Sequence, residues 1–255
     1  MPQQHIPLIM ELIDNIVSPD QRKKEYSDKQ ILKLLVLLQI FNISYRSSKI
    51  FLTNHEGHLI MIGLKEIPSF QTLSRRSRSM DLHAINRSIT FLCSMRECAA
   101  VDSLLIMEWL VTRGNIHDSR VSHYMVDSVR NFSYILADSA YDTSDIYDYV
   151  FENTHSIPVI DTNRRRGIIP ERLPMNRKIG IDLRMEYSSL YSLRWEIERT
   201  FSILEEIMET ENIWYTKNRS FDTAIGLKAI AYNLMIESNI MRGERPREVM
   251  KIVVC

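Results

Sequence analysis

The densest apolar run in the chain covers residues 31–43 and is interrupted only by Lys33, Gln39 and Asn42. Ser27 and Gln30 stand in capping-box spacing just ahead of it, so the pattern predicts a core helix over about 27–42. At that length the run falls well short of the ~20 apolar residues of a membrane span. A second helix start is signalled by Pro68-Ser69, after which Phe70, Leu73 and Met80 face inward and Arg75, Arg76 and Arg78 point elsewhere. From Glu97 the texture changes to short apolar runs alternating with helical stretches, the pattern of an α/β domain with some parallel pairing. Strands are expected at 104–112, 132–137 and 157–160. Helices are expected from Asp118 or Ser119 to about 129, from a Ser144 cap to about 153, over 191–208 and over 221–240. Between them, Asn163-Arg164-Arg165-Arg166-Gly167 opens an irregular basic loop reaching about 181.

Composition places the chain among globular proteins: 255 residues, 45% hydrophobic and 25% charged, are enough to bury a sizeable core. Zero net charge argues against a protein that coats nucleic acid by bulk attraction. The distribution is uneven, however: residues 1–96 hold 13 Lys/Arg against 8 Asp/Glu, and the remainder 19 against 24. Three cysteines, Cys93, Cys98 and Cys255, have no metal-ligand spacing and fit reduced thiols. Residues 1–10 lack the pattern of a secretory signal, so a cytoplasmic setting is expected. The basic helix after Ser69 has two readings, the last helix of a helix-turn-helix or a solvated face of a small bundle.

Candidate chemistry sits in the second part of the chain. Tyr191, Arg194, Glu198 and Glu205 fall within an arc of about 60° on one helix, beside an apolar stripe of Leu193, Ile197, Phe201, Leu204 and Met208. Glu198 is a candidate metal ligand, or simply the i,i+4 partner of Arg194, the reading the helix favours when taken alone. Asp138 ends a short buried strand, where ligands gather in open α/β sheets, and Asp102 follows Ala99-Ala100-Val101 in the same manner. Three carboxylates from two strand ends and a helix suit two hard divalent cations about 4 Å apart. Arg164, Arg165 and Arg166 can follow a phosphate backbone or form a solvated loop. Trp195, Trp214 and Tyr215 are expected in the core, and His117-Asp118 as a capped helix start.

Tyr191-x2-Arg194-x3-Glu198, followed by Ile230-Ala231-Tyr232-Asn233-Leu234, resembles the glutamate-bearing helix of bacterial and archaeal insertion-sequence transposases of the DDE superfamily. Ile135-Leu136-Ala137-Asp138-Ser139-Ala140-Tyr141-Asp142 resembles their second-aspartate segment, Gly114-Asn115-Ile116-His117-Asp118-Ser119 the turn before it, and Val101-Asp102-Ser103 their first-aspartate strand. The resemblance covers nearly the whole chain. It implies a helical N-terminal DNA-binding region (1–96), a ribonuclease H-like mixed-sheet catalytic domain (97–241) and a tail (242–255). It also implies Asp102, Asp138 and Glu198 as a metal-binding triad holding two Mg²⁺ or Mn²⁺ ions, with Tyr191 and Arg194 near the DNA backbone. The implied activity is cleavage at element ends and strand transfer into target DNA, by a homo-oligomer at the nucleoid of a prokaryotic cell.

Two departures stand out. Glu205 occupies the position, seven after Glu198, where the family carries a basic residue. Asp102 runs almost directly into 104–112, where family members place several dozen residues and the rest of an antiparallel hairpin. A truncated sheet is therefore expected, with Asp102 displaced from the other carboxylates. The alternative function is a catalytically inactive DNA-binding remnant that recognises element ends.

Overall fold

The computed structural model describes residues 4–20, 24–95, 104–112, 116–128, 132–163, 170–210, 213, 217–249 and 252. Its elements are α1 (His5–Ile16), α2 (Asp28–Ile40), α3 (Ser48–Asn54), α4 (Glu56–Ile62), α5 (Phe70–Ser77), α6 (Leu82–Met95), α7 (Ser122–Ser128), β1 (Tyr134–Ala137), α8 (Ser144–Asn153) and β2 (Ile157–Ile160). They continue with α9 (Met175–Glu186), α10 (Ser188–Tyr191), α11 (Trp195–Glu206) and α12 (Asn218–Met241). Two compact units form, one from Met1–Trp109 with Thr200–Cys255, the other from Leu110–Arg199.

The first unit is helical and centred on α12, which is buried on every side from Gly226 to Asn239 and packs on α1, α2 and α6. The capping box expected ahead of α2 is present: Ser27 Oγ accepts from the Gln30 amide at 3.1 Å, and Gln30 Oε1 accepts from the Ser27 amide at 2.9 Å. Eight apolar side chains of α2 are buried as a result. Ser69 caps α5 in the same way, accepting from the Thr72 amide at 3.2 Å.

A helix buried all round must satisfy its polar atoms inside the protein. Ser238 Oγ meets His5 Nδ1 at 3.2 Å, Cys93 Sγ donates to Glu237 Oε2 at 2.5 Å, and Asn239 Nδ2 donates to the Pro246 carbonyl at 2.9 Å.

Residues 104–112 were expected to form a strand, and the structure corrects this: the segment is irregular. Side-chain amides take the place of a neighbouring strand. Asn233 Oδ1 accepts from the Ile106 amide at 2.9 Å and Asn233 Nδ2 donates to the Ile106 carbonyl at 2.8 Å. Asn86 Nδ2 donates to the carbonyls of Ile106 at 2.8 Å and Met107 at 3.0 Å, and Asn233 Nδ2 also reaches Asn86 Oδ1. The apolar run is real, but two buried asparagines from distant helices bond the backbone at Ile106 and Met107 where a ladder was expected.

The second unit is an α/β layer. β1 and β2 pair in parallel with Tyr134 opposite Ile157 and Ala137 opposite Ile160, and α8 makes the crossover between them. Val126, Ile146, Tyr147, Val150 and Ile160 form its core. Among the described residues the sheet has these two strands alone. The α/β class holds in this reduced form, and the mixed ribonuclease H-like sheet is not seen among those residues.

Further corrections concern the helices. The loop expected to reach about 181 contains α9, which begins after Pro174 and packs on β2 and α8. Gly180 of α9 lies against the Tyr147 ring so closely that a Cβ would overlap it. The helix expected over 191–208 is broken: a single tight turn, Ser192–Arg194, separates α10 from α11. Ser144 lies in the first turn of α8, and Thr143 occupies the cap position without a side-chain bond.

Candidate active site

The parallel register places two aspartates side by side. Asp138 follows β1 directly and Asp161 follows β2 directly, and the Asp161 amide donates to the Ala137 carbonyl at 3.2 Å. Asp138 is exposed and caps the short turn Ser139–Tyr141, its Oδ1 accepting from the Ala140 amide at 2.8 Å. That bond fixes one carboxylate oxygen at the C-terminal edge of the sheet, where backbone geometry and solvent access favour ligand binding.

Asp142 holds the two strand-end turns in place. Its carboxylate is buried, with 3% of the side chain exposed, and it accepts from the Asn163 amide at 2.8 Å and from Arg177 Nε at 3.0 Å, with a second contact from the Arg177 terminal nitrogen. One side chain thus ties the turn after β1 to the turn after β2 and both to α9. Bonding to Asp142 raises the Arg177 guanidinium further above its ordinary value.

Beside these turns lies the face formed by α9, α10 and the start of α11. Arg184 Nε stands 3.6 Å from Asp161 Oδ1, and the Arg184 guanidinium stacks on the Tyr191 ring, 3.6 Å from its centroid. Arg194 lies 5.9 Å from the same centroid, and its guanidinium donates to Glu198 Oε1 at 2.6 Å. Burial pushes the Tyr191 phenol above its ordinary value, the negative charge of Asp161 adds to this, Arg194 and Arg184 oppose it, and Asp138 contributes in the upward direction. Tyr191 therefore remains a protonated donor at neutral pH, in electrostatic reach of both strand-end carboxylates.

The expected face of Tyr191, Arg194 and Glu198 is thus brought together despite the broken helix, and Arg194–Glu198 forms the i,i+4 pair. The Glu198 side chain is 62% exposed. An exposed pair of this kind is worth only about 0.3–0.5 kcal/mol, so it is easily exchanged for a cation or a phosphate. The apolar stripe is only partly covered: Met208 is buried, whereas Ile197 is 41% and Phe201 57% exposed. Trp195, expected in the core, is instead 48% exposed, with Arg199 4.9 Å above its ring.

Asp102 lies outside the described residues, as do Arg164, Arg165, Arg166, Trp214 and Tyr215. Among the described residues no three acidic, histidine or cysteine side chains converge as a metal cage. The donor chemistry of Asp138 and Glu198 is that of hard carboxylate oxygen, which suits Mg²⁺ or Mn²⁺ rather than a softer ion. In the helical unit, Arg76 donates to the Tyr26 carbonyl at 3.0 Å and pairs with Asp28, which ties α5 to the start of α2. Arg75 and Arg78 are exposed.

Sequence reasoning passed over Asp161 and Arg184. Asp161 follows an apolar run of strand length, as Asp138 does, so the rule that singled out one selects the other. Arg184 carried no such signal, because it lies between the expected loop ending near 181 and the helix expected from 191.

A family model described as "Transposase DDE domain" matches residues 90–234, more than half of the chain. No curated protein and no solved structure matches it.

Proposed function

Because the chain belongs to the DDE transposase family, we propose that it acts on double-stranded DNA, cleaving a strand at each end of an insertion sequence and joining the freed 3′-hydroxyl to target DNA. The observation that supports this reading is the edge of the parallel sheet, where Asp138 ends β1 next to Asp161, and Asp161 meets Arg184, which stacks on Tyr191 of the Tyr191, Arg194 and Glu198 face. Asp138 and Glu198, with Asp102, are the residues that would hold a divalent cation pair. Such ions, when bound, lower the pKa of a water and neutralise charge on the transferring phosphoryl group. Tyr191 offers a protonated hydroxyl and Arg194 a planar guanidinium to phosphate oxygens, and a bidentate guanidinium fits phosphate geometry well. Arg75, Arg78 and the basic run 164–166 would hold DNA further from the chemistry. Synapsis of two ends calls for a homo-oligomer, and a chromosomal substrate for a nucleoid-associated protein in a prokaryotic cell. Among the described residues no helix is long and apolar enough to cross a membrane.

A second reading is favoured by specific observations: among the described residues the sheet has two strands, and the Glu198 carboxylate is taken up by Arg194. Under it the chain binds element ends without cutting them. The deciding experiment is Mg²⁺- or Mn²⁺-dependent cleavage of a labelled element-end duplex by this chain and by Glu198→Gln. Cleavage that disappears in the variant supports the enzyme. End binding without cleavage by either protein, with the fold verified by circular dichroism, supports the binding remnant.

A further inference from the structure

Arg75, Arg78 and Arg219 come from distant parts of the sequence and line one open cavity of about 200 Å³ together with Ser79. All three arginines are exposed. Among the described residues none of them is ion-paired, whereas Arg76, Arg87 and Arg177 each meet a carboxylate. The cluster is nevertheless built rather than loose. Arg219 donates to the Arg78 carbonyl at 2.9 Å, which ties the start of α12 to the end of α5, and Arg78 Nε donates to the Ser74 carbonyl at 2.9 Å.

Helix dipoles account for part of this arrangement and not for the rest. Arg75 and Arg78 sit at the C-terminal end of α5, where partial negative charge favours cations. Arg219 is the second residue of α12, at the end that favours anions. The first turn of α12 has no acidic residue, and its cap residue, Lys217, makes no side-chain bond to the free amides. Like charges gathered at the positive end of a helix, without a carboxylate, are unfavourable in the empty protein and favourable around a bound anion.

We propose that Arg75, Arg78 and Arg219 form a phosphate site that holds one backbone phosphate of duplex DNA. The site rests on the reading of this protein as DNA-binding. It adds a residue from the far end of the chain to the basic helix and leaves Arg76 in a structural role. A phosphodiester oxygen and inorganic phosphate share the required chemistry, and the experiment separates them.

Binding of a short fluorescein-labelled duplex is followed by anisotropy across a salt series in EDTA, so that cleavage plays no part. Arg219→Gln and Arg75→Gln should each weaken binding about 5–10-fold, and each should lower the slope of log K against log[salt] by roughly 0.9, the value for one neutralised phosphate. Arg219→Lys should retain most of the affinity. Lys217→Gln, an equal loss of charge two residues away and outside the cavity, should change it less than about 2-fold. Arg75 has no hydrogen-bond partner among the described residues, so its variant reads the site without a folding penalty. Equal effects from Lys217→Gln and Arg219→Gln would reduce the site to diffuse attraction and overturn the proposal. So would unchanged duplex binding accompanied by loss of thermal protection by inorganic phosphate, which would assign the site to the free ion. Failure of the unmodified chain to bind any duplex would instead remove the DNA-binding reading itself.

Discussion

Asp142→Asn isolates the charge that holds the candidate site together. The substitution keeps an oxygen that can still accept from the Asn163 amide, but leaves the Arg177 guanidinium, with 15% of its side chain exposed, facing a neutral amide. Breaking a buried ion pair from one side costs about 3–5 kcal/mol, mostly because the surviving charge stays desolvated. At ~2–4 °C per kcal/mol for a chain of this size class, the melting temperature should fall by roughly 6–20 °C. Arg177→Met should cost a similar amount. The double variant should recover about 2 kcal/mol or more relative to the sum, because a neutral, well-packed pair often matches a buried ionic one. The assay is calorimetric or circular-dichroism melting of the four proteins, with duplex cleavage measured on the same samples at a temperature where all are folded. Since Asp142 links the turns that carry Asp138 and Asp161, a displacement of about 1 Å there should lower cleavage up to ~100-fold while DNA binding stays within about 2-fold. A melting temperature within about 2 °C of the unmodified chain, or strictly additive single-variant losses, would refute the argument that this pair organises the sheet edge.

Gly180→Ala sets two opposed effects against each other: a better helix former gains about 1 kcal/mol, while overpacking on the buried Tyr147 ring costs about 1–3 kcal/mol. Overpacking should win, the melting temperature should fall, and a rise would show that the ring yields freely. Asn233→Leu removes the acceptor of the Ile106 amide and one of the two donors to its carbonyl, Asn86 being the other. It should cost about 3 kcal/mol and speed hydrogen exchange at the Ile106 amide, and unchanged protection there would count against the asparagine clamp. His5 is buried, and burial holds its imidazole below the ordinary value of 6.5 against the opposing charge of Glu244, with Arg242 adding to the lowering. A lowered folded value means that its stability contribution is complete above pH 6.5 and is lost as the pH falls from there toward the folded value. Denaturant midpoints at pH 7.5 and 5.5 should therefore converge in His5→Gln relative to the unmodified chain, and an identical pH dependence in both would exclude His5 as the source.

Local signals in the sequence carried a good part of the fold. The box at Ser27 and Gln30, the cap at Ser69 and the four-residue run Ile157–Ile160 are each set by side chains within one turn of the element they begin or fill. What escaped depends on partners far along the chain. An apolar run such as 104–112 looks the same whether a strand or a pair of asparagines satisfies its backbone, and residues 86 and 233 give no warning that they do so. The stretch containing α9 was hidden by its charges. Arg177 fell inside the expected basic loop, open to a phosphate backbone or to solvent, and Arg184 just beyond it, yet each is turned toward an aspartate at the sheet edge, Asp142 and Asp161 respectively. Of the candidate site, Asp138, Tyr191, Arg194 and Glu198 could be named from the sequence, because the family spacing is local to two segments. Asp161 was open to the same strand-end rule as Asp138, whereas the Asp142 tie becomes visible only once the parallel register sets β2 beside β1.

The apolar stripe along α11 is partly bare. Ile197, Phe201 and Leu204 of α11 share a side patterned to lie on an apolar layer, yet Ile197 and Phe201 remain substantially exposed. Leaving a large apolar side chain in water forgoes about 1.5–3 kcal/mol, so each uncovered position is stabilisation that the fold does not gain. Polar ties therefore carry an unusual share of the organisation at the strand ends: Asp142 with Arg177 and Asn163, and Arg184 with Asp161 and Tyr191. Such ties are directional and hold turns in register, but they are lost whole when one partner is removed. The geometry around Asp138 should accordingly be more sensitive to single polar substitutions than to loss of any one methyl group in the core.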